Sequence, residues 1–452
     1  MGKYFGTDGI RGVAGAELDA ELAFRIGRAA ATVLAQEREG KSRVMIARDT
    51  RISCDMLETA MTAGFCSVGT DVTLLGVLPT PAAAYLTVIS GASAGVVISA
   101  SHNTFEHNGI KLFGKNGYKL SDEIEERIEK LIDDDSGVPR KTGAELGRIS
   151  SGHVHWIDEY VKSLVAAAQG QYKGRIAIDC ANGAASETAR ALFREMGAEF
   201  EIIFDEPDGI NINENCGSTH IEVLQEMMRS GKFGVGFAFD GDADRCLIVD
   251  ERGEMVDGDL IMCAIARAMM ATGELRGGAF VGTVNSNSGV DIFARSNGFE
   301  FLRAQTGDRY VLEMMQETGS NLGGESSGHI IFIDDATTGD GQLTAIKFLN
   351  VLIASGKTVS ALVGDIPRYP QVMLGHKLTG GAEEREAIMS NPLLHEEIAR
   401  QEDSFAGEGR ILVRPSGTEP LIRVLVEAKT EAIAAEKAEC LIDLMKTLSS
   451  QA

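Results

Sequence analysis

Short apolar runs alternate with amphipathic stretches along most of the chain. In RVMIARDTRISCDMLETAMTAGFCSVGTDVTLLG, residues 43 to 76, a strand-like run passes through a small-polar turn into a helix-like stretch, and a glycine leads into a second apolar run. The same order recurs in RIAIDCANGAASETARALFREMGAEFEIIF, residues 175 to 204, and in AFVGTVNSNSGVDIFARSNGFEFLRA, residues 279 to 304. Within the helical part apolar residues return at three- and four-residue steps, as at Ala189, Leu192, Phe193 and Met196, the period of a helix with one buried face. Strand–helix–strand units of this kind imply parallel strands joined by right-handed crossovers. Three copies of one unit predict three related domains.

Each copy continues to a further apolar run that ends in a polar loop: GVVISASHN, GVGFAFDGDADR and GGESSGH. Ligands of open α/β sheets bind beyond the carboxyl ends of strands, so the three loops are expected to line one cleft. Near residue 367 the order changes. QVMLGHKLT, NPLLHEEIARQ, GRILVRPSGTEP, LIRVLVEAKT and EAIAAEKAECLIDLMKTL read as strand, helix, strand, strand, helix. The expected architecture is therefore three related mixed-sheet α/β domains around a central cleft, with a smaller C-terminal α+β domain. The expected divisions are 1–150, 151–250, 251–366 and 367–452.

Composition narrows the function classes. No apolar run approaches the ~20 residues of a membrane span, and the opening MGKYFGTDGIRG lacks the apolar core of a secretory signal. A cytoplasmic protein without a membrane partner is expected. The seven cysteines include no C-x-x-C pair and read as reduced core residues. With 43 Lys+Arg against 66 Asp+Glu the net charge is −23, which disfavours nucleic acid, whose binding depends on basic patches. Yet Arg11, Lys111, Arg245, Arg309, Arg414 and Arg423 lie within polar loop motifs. Converging there, they would suit a small anionic substrate.

The loops carry the chemistry. FDGDADR places Asp240, Asp242 and Asp244 within five residues at the end of a strand. Carboxylates so close repel one another unless a cation compensates, and an all-oxygen set suits Mg2+ or Ca2+. A calcium-binding EF-hand is the main competitor, since Glu251 falls at loop position 12. Arg245 occupies the position that needs glycine, however, and the flank is a strand. In ISASHNTFEHNGIKLF, residues 98 to 113, the SASHN loop looks too polar to bury; Ser101 is a candidate nucleophile, His102 a candidate base, and Lys111 follows ten residues on. A hydrolase elbow, G-x-S-x-G, is absent. A serine near a metal and basic side chains fits phosphoryl transfer, where catalysis is positioning and charge neutralisation. RPSGTEPLIRV, residues 414 to 424, offers backbone N–H groups near Ser416, Gly417 and Thr418 between two arginines, a nest for a phosphate that is held and not transferred. GGESSGH supplies Glu325, Ser327 and His329, suited to sugar hydroxyls, and FGTDGIRG supplies Asp8 and Arg11. Taken singly, each of these could be an ordinary turn.

Together, in this order, the five motifs resemble the α-D-phosphohexomutase family, over nearly the full chain. The resemblance implies that Ser101 carries the phosphoryl group and that Asp240, Asp242 and Asp244 hold Mg2+ together with the phosphoserine oxygen. It places Arg245 beside the transferring group with Arg11 in support, and Lys111 or His329 as general acid–base. Glu325 and Ser327 would take sugar hydroxyls; Arg414, Ser416, Gly417, Thr418 and Arg423 would take the distal phosphate. ARDTRISCDMLETA, GININENCGSTH, GDRYVLE and GGESSGHIIF resemble the bacterial branch acting on glucosamine phosphates. That implies interconversion of glucosamine 6-phosphate and glucosamine 1-phosphate through glucosamine 1,6-bisphosphate, with a hexosamine phosphate as the partner, neither nucleic acid nor membrane, and a homodimer left open. Thr104, Ala243 and Ser326 depart from common family residues. Mannose or glucose phosphate as substrate, a metal-dependent phosphatase with Asp240 as nucleophile, and a non-catalytic sugar-phosphate sensor remain as alternatives.

Overall fold

The computed structural model describes the chain except for Met1, Thr7 and residues 36–40, 406–407, 417–420 and 450–452. Two compact units result: residues 1–285 with 302–365, and 286–301 with 366–452.

In the larger unit the expected alternation is present. Strand Arg43–Arg48, helix Ser53–Ser67 and strand Asp71–Val77 form the first repeat, and Arg175–Asp179, Ala185–Glu195 and Glu199–Ile203 the second. Both strand pairs are parallel. Ala279–Thr283, Gly289–Ser296 and Glu300–Ala304 follow in the same order in the third, whose helix and first two residues of the last strand are assigned to the smaller unit. The helix read from Ala189, Leu192 and Phe193 buries those three side chains.

Each sheet then adds an antiparallel strand, and this is what brings the loops to chemistry. Strand Ala94–Ile98 lies parallel to Arg43–Arg48, whereas His107–Gly114 returns antiparallel to it, with Lys111 opposite Val97. Ile10–Val13 pairs antiparallel with that return strand, Arg11 opposite Gly109. In the second sheet Val235–Phe239 is parallel to Arg175–Asp179, and Cys246–Val249 folds back antiparallel. A turn at Asp250 then leads to Met255–Val256, which joins the same sheet. In the third, Leu322–Gly324 is parallel to Ala279–Thr283 and Ile330–Phe332 is antiparallel. A hairpin at the carboxyl end of each parallel strand holds one polar loop rigidly between two strands. Helices Ala20–Ala35 and Ser53–Ser67 cover the first sheet, packing Ile26, Leu57, Met61 and Phe65 against Val44, Ile46, Val96 and Ile98.

The smaller unit has an antiparallel sheet in the order Gln371–Lys377, Leu421–Glu427, Arg410–Pro415. Ile422, Val424 and Val426 pack against Ala434, Ala438, Leu441 and Met445 of helix Glu431–Ser449. A helix at Gly381–Met389 was absent from the sequence reading. Among its described apolar residues only Ile388 is deeply buried, so no apolar stripe reveals it.

The cysteines are all free, but not all in the core: Cys66 is partly exposed and Cys440 exposed. Among the described residues no helix is long and apolar enough to cross a membrane.

Candidate active site

The Ser101 loop corrects the sequence reading. Far from being too polar to bury, its first three residues are enclosed, with Ser99 and Ser101 at most 1% exposed, while His102 and Asn103 are partly exposed. Burial of polar groups is tolerable where each finds a partner, and here they do. Ser101 N–H donates to Ser99 Oγ at 3.0 Å. Its carbonyl accepts from Arg51 at 3.2 Å and from Asn213 Nδ2 at 2.9 Å. Asn213 also reaches the Asn103 carbonyl at 2.8 Å, which Arg51 shares. Arg51 is itself fully buried and paired with Asp49. These contacts hold Ser101 at φ 53°, a left-handed conformation that is strained for a residue with a side chain.

The result aims Ser101 Oγ at the second sheet's loop, where it donates to Asp240 Oδ2 at 2.7 Å. A Cβ on Gly241 would meet the Ser101 carbonyl at 2.5 Å, so only glycine lets the two loops approach this closely. His102 Nδ1 is 3.4 Å from the hydroxyl. Burial, with Arg245 and Arg11 nearby, lowers this imidazole to about 4, and the hydroxyl donates to Asp240 by the much shorter contact.

Asp240, Asp242 and Asp244 are buried, with one oxygen from each within 4.8 Å of the others. Asp242 Oδ1 and Asp244 Oδ1 are enclosed and accept no hydrogen bond among the described residues. Oxygen-only donors with unmet acceptor capacity fit a hard divalent cation. Burial and the charges of Asp244 and Asp242 hold the Asp240 carboxyl well above its ordinary range. Strands on both sides of this loop exclude the helix-flanked calcium motif.

Lys111 crosses from the first sheet to this cluster. Its Nζ donates to Asp242 at 2.7 Å and to Asp244 at 3.4 Å, and lies 3.2 Å from Asp8. Burial alone would lower its pKa; Asp242, Asp8 and Asp244 outweigh that and hold the ammonium well above its usual range. Thr80 Oγ1 also donates to Asp242, at 2.5 Å. Arg11 pairs with Asp8. Arg245 donates its backbone N–H to Asp240 at 3.2 Å and keeps its guanidinium 3.8 Å from Asp244.

From the third sheet's hairpin come Glu325, Ser327 and His329. Glu325 accepts from Gly307 N–H at 3.1 Å, and Ser327 Oγ is enclosed without a hydrogen-bond partner among the described residues. His329 Nδ1 is 3.6 Å from Asp244, and Nε2 accepts from Gly339 N–H at 3.1 Å. That acceptor bond requires the lone pair on Nε2, which places the neutral ring's proton on Nδ1, toward Asp244. Burial opposes a charged ring, but Asp244 and Asp308 outweigh it and raise the group to about 9. The hydrogen-bond geometry favours the neutral ring, and a cation among the aspartates would remove the field that raises it.

Ser101, Lys111, Arg11, Arg245, His329, Glu325, Ser327 and the three aspartates thus all belong to the larger unit, and Ser101, Lys111 and His329 meet on the aspartates. Arg414 and Arg423 belong to the smaller unit, directly opposite each other on antiparallel strands. Like charges so placed repel, and burial together with Arg423 lowers the Arg414 guanidinium below its usual range. An anion between them would relieve both. Ser416 N–H donates to Leu421 carbonyl at 2.8 Å; Gly417 and Thr418 lie outside the described residues. Sequence reasoning gave no role to Thr80, Asp49, Arg51, Lys119, Asn213 or Asp308. For two of them, Asp49 and Arg51, the available signal was position: the RDTR turn ends the first repeat's strand, as the other polar loops end theirs.

Family models described as phosphoglucomutase/phosphomannomutase match in succession along the chain. The alpha/beta/alpha domains I, II and III match residues 2–137, 157–253 and 257–369, and the C-terminal domain matches 376–444. The chain is 48% identical over 456 residues to a phosphoglucosamine mutase of Acetivibrio thermocellus, covering 100% of both. It is 51% identical over 434 residues to one of Desulforamulus reducens, covering 96% of both. A solved phosphoglucomutase/phosphomannomutase family protein of Burkholderia thailandensis is similar at TM-score 0.81 and 25% identity, over 97% of each chain.

Proposed function

The chain belongs to the phosphoglucomutase/phosphomannomutase family, and from that premise we propose that it interconverts glucosamine 6-phosphate and glucosamine 1-phosphate through a phosphorylated Ser101 and glucosamine 1,6-bisphosphate. The observation that carries this reading is the 2.7 Å bond from Ser101 Oγ to Asp240, inside a buried aspartate triad that also holds Lys111. A hydroxyl that only bound sugar would need neither the triad nor a strained loop to aim it. The high identity to phosphoglucosamine mutases supports the hexosamine substrate.

In the forward direction the sugar's O1 attacks phosphorus as the bond to Ser101 Oγ breaks. The proton from O1 passes to a base, and the serine oxygen receives one in turn. Lys111 and His329 are the groups placed for these transfers. The bisphosphate then reverses so that its 6-phosphate faces Ser101. Transfer back to the serine leaves glucosamine 1-phosphate and restores the phosphoenzyme. Asp240, Asp242 and Asp244, with the phosphoserine oxygen, would hold Mg2+, which when bound supplies charge against the moving phosphoryl group. Arg245 and Arg11 add fixed positive charge, Glu325 and Ser327 take sugar hydroxyls, and Arg414, Ser416, Gly417, Thr418 and Arg423 hold the phosphate that is not reacting. In this reading residues 1–150 carry the phosphoserine loop, 151–250 the metal loop, 251–366 the sugar loop and 367–452 the phosphate loop.

The test compares wild type and Ser101→Ala for turnover of glucosamine, glucose and mannose 6-phosphates, with phosphopeptide mapping. Expected are phosphate on Ser101 in wild type, preference for the glucosamine substrate, and no isomerisation by the variant. Full activity in Ser101→Ala removes the phosphoserine mechanism; preference for mannose or glucose removes the substrate assignment only.

A further inference from the structure

Six groups in the larger unit close a ring in which nitrogen-bearing side chains alternate with carboxylates. Lys111 Nζ lies 3.2 Å from Asp8. Asp8 accepts from Lys119 Nζ at 2.6 Å, and the same ammonium reaches Asp308 at 2.7 Å. Asp308 is 3.6 Å from His329 Nε2, His329 Nδ1 is 3.6 Å from Asp244, and Asp244 is 3.4 Å from Lys111. The two histidine contacts are longer than hydrogen bonds and act through the field of the two carboxylates on the ring. Arg11 beside Asp8, Asp242 beside Lys111, Arg245 beside Asp244, and Glu325, whose charge reaches His329, complete the charged surroundings.

Lys119 and Asp308 make no contact with the aspartate triad, yet together they connect the two candidate acid–base groups. We propose that Lys119 and Asp308 are positioning residues for phosphoryl transfer, holding Lys111 and His329 in place on Asp244 without themselves touching substrate. The inference rests on the proposed function above. Each carboxylate of the pair is shared: Asp8 between Lys111 and Lys119, Asp308 between Lys119 and His329. Without the Lys119 charge, Asp8 draws Lys111 away from Asp242, and Asp308, no longer neutralised, sets its negative charge against the Nε2 lone pair and displaces the ring from Gly339. Both reacting groups shift through one deletion. A residue that merely tied the turn at Lys119 to the helix starting at Asp308 would have no such charge-dependent effect.

The test uses full-length enzyme with magnesium, measuring kcat and KM for glucosamine 6-phosphate in Lys119→Met, Lys119→Arg, Asp308→Asn and the double variant Lys119→Met/Asp308→Asn. Misplacing reacting groups is costly, so Lys119→Met is expected to lose about 100-fold in kcat. KM should stay within about threefold, the mark of an effect confined to the transition state. Lys119→Arg keeps the charge and should retain most activity. The double variant should be no worse than Lys119→Met alone, because Asp308 is harmful once its lysine is gone; independent structural losses would multiply. Should Lys119→Met fail to fold, the isosteric Asp308→Asn carries the test, with an expected loss of about tenfold in kcat. Folded variants with wild-type kcat, losses carried by KM, or multiplying losses overturn the proposal. Active wild type beside equally active variants overturns this inference alone, whereas wild type that isomerises none of the hexose phosphates overturns the proposed function and this inference with it.

Discussion

Lys111 is a cation that three carboxylates share, and its removal separates two roles proposed for it. As acid–base group it should matter to turnover by a factor of about 10²–10⁴. As counter-ion it competes with any metal for Asp242 and Asp244. Lys111→Met is therefore expected to collapse turnover while magnesium affinity, by calorimetric titration, is unchanged or tighter. Weaker magnesium binding would mean that Lys111 chiefly shapes the metal site. Glu125 makes a separate case, away from this chemistry. Burial first, then the charge of Asp122, raises its carboxyl to about 7 against the pull of Arg309 and Lys119. An unfolded glutamate titrates near ~4.3, so between those values the native state holds a proton that the unfolded chain has released. Stability from this group is fully present below the unfolded value and is lost as pH rises through the folded one. Because the side chain is only partly buried, solvent screening reduces the loss to about 1 kcal/mol. Glu125→Gln should then be more stable than wild type at pH 8 by about that amount, with no difference near pH 4. Urea unfolding at the two pH values checks the sign, and an equal change at both removes the account.

At the level of elements, the loops were readable and their surroundings were not. Strand, polar turn and helix can be seen in any one repeat, so the positions of Ser101, Asp240 and Glu325 at strand ends followed from local pattern. The burial of Ser99 and Ser101 did not, because the partners of that loop come from elsewhere. Arg51 lies on the preceding strand–helix turn of the same sheet, and Asn213 sits in the loop that follows the second repeat, 112 residues from Ser101. Hydrogen bonds at that separation leave no periodicity to read. The helix Gly381–Met389 was missed for a related reason, having a single deeply buried apolar side chain among its described residues. Asn213 is the element-scale prediction. Its amide donates to two carbonyls of the serine loop, so Asn213→Ala leaves both short of a donor, at a cost of about 1–3 kcal/mol. Ser101 is then less firmly held at its positive φ, and kcat should fall with little change in KM. Asn213→Asp, nearly identical in shape, sets a carboxylate against the same carbonyls and should be worse than alanine in both stability and rate. An aspartate variant that performs better than alanine would show that shape, not donation, is what the loop requires.

At the scale of the whole molecule, three copies of one pattern and a differing tail were legible because repetition survives without knowledge of contacts. The grouping of residues 286–301 with 366–452 was not, since a linear reading divides a chain only into contiguous pieces. The net charge of −23 likewise hid how unevenly charge is placed: Asp240, Asp242, Asp244 and Lys111 are at most 5% exposed. That concentration makes metal binding a stability effect in one part of the molecule. A ligand that binds only the native state stabilises by about 2.7 kcal/mol at a hundred times its dissociation constant. Every residue of the triad and of its supporting loops lies in the larger unit, so the gain should appear there. Hydrogen exchange with and without magnesium is expected to show added protection in peptides covering Ala94–Gly114 and Val235–Val249. Peptides of the strand Leu421–Glu427 in the smaller unit should exchange unchanged. Asp240→Asn removes one carboxylate charge and should abolish the added protection in the larger unit while leaving the Leu421–Glu427 strand as it was. Protection that rises equally in both units, or that survives Asp240→Asn, would place the stabilising cation somewhere other than the triad.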